Sequence, residues 1–177
     1  MARRPFRRER TVADRHLDIT IGRHVVYENA NIEVIARGVC VVDGHVLLCH
    51  GKGAELSYLP GGHIEFRETA RQALTREIRE ELGRDATAGR FLGCCEHAFV
   101  QKGIPRAEIN LVFELTIPGL DPNQPVAAAE AWIGFRWHPL HTLRDAGLEP
   151  APLCDALAEW LRNPGGHVVS GDAWRQP

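Results

Sequence analysis

No apolar run in this chain approaches the roughly 20 residues that span a bilayer, so a membrane-crossing helix is not expected. The first residues lack the apolar core of a secretory signal, and no leader is expected from them. No CxxC pair occurs among Cys40, Cys49, Cys94, Cys95 and Cys154, so neither a zinc knuckle nor dithiol redox chemistry has a framework. The five cysteines are scattered and odd in number, and most lie within apolar runs. Buried thiols in a reducing compartment fit them best, which sets the expectation of a cytoplasmic protein. No internal repeat and no low-complexity tract is present, which removes solenoid, collagenous and prion-like classes. What remains is 177 residues, 44% hydrophobic and 25% charged, a composition that suits one globular domain with a substantial core.

Charge is unevenly placed despite a formal net charge of -2. Residues 1–15 hold Arg3, Arg4, Arg7, Arg8, Arg10 and Arg15 against Glu9 and Asp14. Such an arm can touch nucleic acid or an acidic partner, although a solvated terminus is the plainer reading. Residues 1–31 are read as a basic extension, 32–162 as the folded domain and 163–177 as a tail.

Within the domain, Ile32 to Val42 and Val46 to Cys49 are strand-like, and Asp43-Gly44 between them signals a hairpin. A helix is expected from about Glu68 to Leu82, with a carboxylate in its first turn and Gly83 as its stop. Two further strands, Arg90 to Val100 and Ala107 to Ile117, flank a loop at 101–106. Trp132 to Trp137 reads as another strand, and Ala151 to Leu161 as a second amphipathic helix carrying Leu153, Leu157 and Leu161 on one face. Strands and helices mix without regular alternation, which favours an α+β sandwich over a doubly wound sheet.

The first helix carries the chemistry. At about 100° per residue, Glu77, Glu80 and Glu81 fall within about 100° of one another. Leu74, Ile78 and Leu82 lie between about 60° and 140° on the same wheel, so the acidic face flanks the buried stripe. Clustered carboxylates at the edge of a core repel unless a positive charge lies among them, and a hard divalent cation with oxygen ligands meets that need. Solvent-exposed Arg–Glu pairs are the plainer alternative.

The spacing is Gly62, five residues, Glu68, seven residues, Arg76-Glu77-Ile78, one residue, Glu80-Glu81, one residue, Gly83. This resembles the signature of the Nudix hydrolases at every defining position except the last, where Arg84 replaces an apolar residue. Leu59-Pro60-Gly61-Gly62 and Ile64-Glu65 resemble the loop that leads into the family's helix. The resemblance implies a Nudix-type α/β/α sandwich with a mixed central sheet. It also implies hydrolysis of a nucleoside diphosphate linkage by water with Mg²⁺ or Mn²⁺. By this analogy Glu77, Glu80 and Glu81 would bind metal, Arg76 would orient Glu77, Glu68 would support the loop–helix junction, and the Gly61 carbonyl would be a further ligand. Arg67 departs from the glycine often found before this glutamate, and it either accepts a strained backbone or reaches phosphate.

Ala107-Glu108-Ile109-Asn110-Leu111-Val112-Phe113 resembles a family segment whose glutamate joins the metal cluster or acts as general base. An edge-strand charge is the alternative for Glu108. Lys52, His50 and Lys102 are candidates for phosphate binding, and His63 and Arg67 for substrate. Tyr58, Phe99, Trp132 and Trp137 can stack on a base, although core packing is the default for such residues, and Glu130 is a candidate to face the site. The family's extra motifs for NADH, coenzyme A or ADP-ribose are not found, which points to a nucleoside triphosphate or a generalist. A catalytically silent nucleotide-binding module and an RNA 5'-end processing enzyme are the competing readings, and a homodimer is open.

Overall fold

The computed structural model describes residues 20–21, 24–25, 31–101, 103–163 and 165–170. The Arg-rich segment 1–15 and Lys102 lie outside the described residues. Two short strands, β1 (Thr20–Ile21) and β2 (His24–Val25), pair with each other. The domain then runs β3 (Asn31–Val39), β4 (Val41–Val42), β5 (His45–Gly51), β6 (Gly61–His63), α1 (Ala70–Leu82), β7 (Thr87–Gln101) and β8 (Ile104–Thr116). It closes with β9 (Ile133–Pro139), a 3-10 segment (Leu140–Ala146), α2 (Leu153–Arg162) and β10 (His167–Ser170).

The long sheet is mixed, with order β10-β7-β8-β3-β6. β3 runs parallel to β8 and antiparallel to β6, while β7 and β8 form an antiparallel hairpin. A second sheet, β4-β5-β9, is antiparallel. Asp43 and Gly44 both have positive φ, 47° and 72°, the conformation a two-residue hairpin demands.

The sheets divide two cores. Alternation along β5 shows it most clearly: Val46 and Leu48 enter the core under α2, and Leu47 and Cys49 enter the core under α1. A strand buried on both faces reads as a continuous apolar run, as Val46 to Cys49 does. Leu153, Leu157 and Trp160 bring α2 onto one core, and Leu74, Ile78 and Leu82 bring α1 onto the other. Each such side chain contributes about 1.5–3 kcal/mol by burial. The result is a three-layer α/β/α sandwich about a mixed central sheet.

Three expectations about boundaries change. The helix starts at Ala70 rather than Glu68, because Thr69 and Gln72 form a reciprocal capping box. Its first turn therefore holds no carboxylate, and Glu68 stays in the loop. The expected loop 101–106 contracts to a tight hairpin, with Gln101 paired to Ile104 and Gly103 at φ 79°. Pro105 is tolerated within β8 because pairing with β3 begins only at Arg106. Part of the expected tail, β10, extends the sheet by pairing parallel to β7 from His167↔Gly93 to Ser170↔Glu96, which satisfies an otherwise open strand edge. Among the described residues no helix is long and apolar enough to cross a membrane.

Candidate metal centre and adjoining cleft

The glycine pair positions the site by permitting two close approaches. Gly61 has φ 130°, and a Cβ there would lie 2.1 Å from the Ala36 carbonyl oxygen, so only glycine lets β6 close onto β3. A Cβ on Gly62 would lie 2.3 Å from Cδ of Glu77. The Glu77 carboxylate is thus cradled against the backbone of the loop that precedes its helix.

Arg76 clamps that loop to the helix. Its Nε and Nη2 donate to the two Glu68 carboxylate oxygens at 3.2 and 2.9 Å, and Nη2 also donates to the His63 carbonyl at 3.0 Å. Nη1 donates to Glu77 at 2.9 Å and to Glu80 at 3.1 Å. Glu68 accepts in addition from the Glu65 amide at 2.8 Å. The paired Arg76 holds the Glu68 carboxyl below its usual range, and the hydrogen bond to Glu68, with that to Glu77, raises the guanidinium further. A forked donor set of this kind is specific to arginine.

The three glutamates of α1 therefore divide. Glu80 is half exposed and tied to Arg76 at the rim. Glu81 is buried, with only 6% of its surface exposed, and its Oε2 has no hydrogen-bond partner among the described residues. Burial first, then the charge of Glu77, push its pKa up to about 7; Arg37 opposes, Glu130 adds repulsion, and a backbone hydrogen bond from Gly61 opposes again. A buried carboxylate beside a second carboxylate is costly unless a cation joins them.

Arg37 and Asn110 belong to this centre and were not among the sequence candidates. Arg37 on β3 donates through Nη1 to the Leu59 carbonyl at 3.1 Å and to the Gly61 carbonyl at 3.0 Å. Its Nε donates to Oδ1 of Asn110 at 3.3 Å. Asn110, fully buried on β8, donates through Nδ2 to Glu108 at 3.3 Å and to the Cys95 carbonyl at 3.4 Å. The available signal was an arginine inside the β-branched run Ile32 to Val42, where a cation has no reason to be unless it is paired.

Glu108 thus reaches the glycine loop through Asn110 and Arg37, and it also lines a cleft with Tyr58 and Phe99. His63 is exposed on β6 with its ring against Glu33 at 3.1 Å. Arg67 is exposed at φ 75°, so the departure from glycine is met by a left-handed arginine rather than by a reshaped backbone. Lys52 is exposed in the loop after β5, with its amide bonded to the Trp132 carbonyl, and among the described residues no hydrogen bond or ion pair joins its side chain to the acidic residues. Trp132 is exposed and Trp137 packs against the α1 core, whereas Tyr58 and Phe99 line the cleft.

Among the described residues, no group of three His, Cys, Asp or Glu side chains already stands in ligating geometry. The donor set nevertheless suits a hard cation. Glu81 has an orphaned buried oxygen, Glu77 lies one turn earlier in the Gly62 cradle, and Arg76 retains Glu80 close by.

Comparison with known proteins bears on the family and the fold. The NUDIX domain profile matches residues 33–163. CTP pyrophosphohydrolase of Escherichia coli K12 is 43% identical over 65 residues, covering 34% of this chain and 47% of that protein. The 8-oxo-dGTP diphosphatase of Proteus vulgaris is 44% identical over 45 residues, covering 25% of this chain and 40% of that protein. The chain thus spans under half the length of each of these curated relatives. The solution structure of the E. coli ORF135 protein superposes with a TM-score of 0.56 at 26% identity, over 76% of this chain and 93% of that one. A Nudix hydrolase structure from Nitrosomonas europaea, at 18% identity and TM-score 0.57, covers 84% of this chain and 83% of that one and shares the fold. With a mixed sheet between two helices and a matched profile over most of its length, the chain belongs to the NUDIX domain family.

Proposed function

We propose that the protein hydrolyses a diphosphate linkage in a nucleoside triphosphate or related nucleotide, with Mg²⁺, or Mn²⁺ in its place, as the cation. The observation that carries this reading is the buried, partly orphaned Glu81 carboxylate beside Glu77, a charge arrangement that a divalent cation would complete. The names of the curated relatives, a CTP pyrophosphohydrolase and an 8-oxo-dGTP diphosphatase, support a nucleotide substrate.

Glu77, Glu81 and Glu80 would hold the metal, with the Gly61 carbonyl as a further ligand and Glu108 either in its shell or as general base. A bound divalent cation neutralises charge on phosphate oxygens and lowers the pKa of a bound water. Arg76 fixes Glu77 and Glu80 through one guanidinium nitrogen, so both carboxylates keep their rotamers as charge shifts among the phosphate oxygens. Arg37 holds the Gly61 carbonyl in place and balances part of the charge of Glu81. Glu108 is anchored by Asn110 and can take the proton of an attacking water. Arg67 directly precedes the clamped Glu68 and is assigned to the phosphate tail; Lys52 and His63 are weaker candidates for the same role.

A diphosphate panel assayed with and without Mg²⁺ tests the reading. Phosphate or pyrophosphate release is expected, and it is lost with chelator and in Glu81→Gln. Full activity in Glu81→Gln refutes the metal assignment. Nucleotide binding with no turnover of any panel member leaves a binding module instead.

A further inference from the structure

The cleft beyond Glu108 has a volume of about 270 Å³ and is lined by Leu56, Tyr58, His97, Phe99, Glu108 and Glu149. Its walls come from three separate parts of the chain, and they are stitched together. The Ser57 amide donates to the Gly147 carbonyl at 2.9 Å, and the Glu149 amide donates to the Ser57 carbonyl at 2.8 Å. The Ser57 hydroxyl donates to the Ala146 carbonyl at 2.9 Å, and Arg136 donates to that carbonyl at 2.8 Å. Tyr58 is bonded through its amide and carbonyl to Cys49 of β5. On the opposite wall, the rings of His97 and Phe99 stack at 5.2 Å with 24° between planes.

The chemistry of the lining is one-sided. Flat rings offer stacking surfaces, and both charged groups in the lining are carboxylates. Among the described residues no arginine or lysine lines it, so phosphate or carboxylate is not the matching ligand. A flat neutral ring with N–H donors is. The Glu149 carboxylate is already oriented, because its Oε2 accepts from the Ala151 amide at 2.9 Å. Burial raises the Tyr58 pKa, and Glu108 and Glu149 raise it further against an opposing Arg37, so the phenol stays a hydrogen-bond donor.

We propose that this cleft is the nucleobase subsite and that Glu149 reads the base, preferring guanine. The proposal rests on the diphosphatase reading for the link between base and reacting phosphates. Guanine presents adjacent N–H donors, on N1 and on the exocyclic N2, to the two oxygens of one carboxylate. Adenine and cytosine place a ring acceptor beside their amine, and that acceptor would face a carboxylate oxygen. Uracil places its one N–H between two carbonyls. A carboxylate oxygen left facing an acceptor, without a donor, is what makes such discrimination steep. Stacking against Phe99 would add affinity without choosing among bases.

The test is binding of GMP, AMP, CMP and UMP to the full chain in chelator, by calorimetry, in wild type, Glu149→Gln and Phe99→Ala. GMP is expected to bind tightest. Glu149→Gln should weaken GMP by about tenfold, as loss of a charge-assisted pair does, while leaving UMP within about twofold. Phe99→Ala should weaken all four in parallel. Equal affinities for the four nucleotides in wild type, or a GMP preference that survives Glu149→Gln, overturn the proposal. These outcomes are independent of turnover. Selective GMP binding without hydrolysis sinks the diphosphatase reading and spares the subsite, and base-indifferent hydrolysis does the reverse.

Discussion

Glu81 should destabilise the metal-free protein, and Glu81→Gln should relieve that. The carboxyl is buried, one oxygen lacks a partner, and its pKa stands at about 7 against an ordinary 4.5. The native state therefore holds this proton more tightly than the unfolded chain does. Its contribution to stability is most favourable below pH 4.5 and is lost as pH rises to about 7, beyond which the penalty is constant. Integrating between the two states, the raised pKa of Glu81 costs about 1 kcal/mol at pH 5, where only the unfolded chain ionises it, and about 3 kcal/mol at pH 8. Glutamine keeps the shape and can still accept from the Gly61 amide, but it never ionises. Urea denaturation of both proteins in chelator, at pH 5 and pH 8, measures the effect. Other titrating groups are common to both, so the difference between the two profiles isolates Glu81. The wild type should fall relative to the variant by about 2 kcal/mol between those pH values. Saturating Mg²⁺ should then stabilise the wild type at pH 8 and leave the variant unmoved, because a ligand stabilises only the state that binds it. Parallel pH profiles, or equal stabilisation by Mg²⁺, would refute the reasoning.

Three other perturbations probe the rest of the centre. Gly62→Ala places a Cβ where the Glu77 carboxylate lies, so diphosphatase activity should fall by about a hundredfold while urea stability drops by about 1 kcal/mol; unchanged turnover would mean that Glu77 is not held in its cradle. Arg76→Lys keeps the charge but cannot reach Glu68, Glu77 and Glu80 together, so kcat should drop at least about tenfold, read from steady-state rates at saturating Mg²⁺. Arg37→Leu leaves the Gly61 and Leu59 carbonyls and the Asn110 amide oxygen without their donor, which should cost about 2–3 kcal/mol in urea denaturation, and wild-type stability would argue that water replaces the guanidinium.

Local chemistry was legible in the order of residues. Asp43-Gly44 and Gly83 each act within a few positions of one another, and the wheel placed Leu74, Ile78 and Leu82 on the buried stripe of α1 as found, although the equally local Thr69–Gln72 capping box was passed over in favour of Glu68. The spacing from Gly62 to Gly83 was equally local, and it pointed to the family and to the residues of the candidate centre. Where local signals conflicted the reading slipped. Gly103 and Pro105 look like a six-residue loop, yet cross-strand pairing between β7 and β8 draws most of it into the sheet. His167–Ser170 looks like a tail, yet an open edge on β7 recruits it.

What the sequence determined by itself was a helix with an acidic edge, a glycine loop before it, and the family to which both belong. Only the tertiary structure decided which glutamate is buried, and it set the charge of Arg37 and a backbone hydrogen bond of Gly61 against that burial from other strands. The same holds for the Arg37–Asn110–Glu108 chain of hydrogen bonds, which joins β3 to β8 across 73 positions, and for the cleft that Tyr58, Phe99 and Glu149 line together. Hydrogen bonding along a helix is set by near neighbours, whereas burial and charge coupling are set by whichever strands the whole core brings alongside.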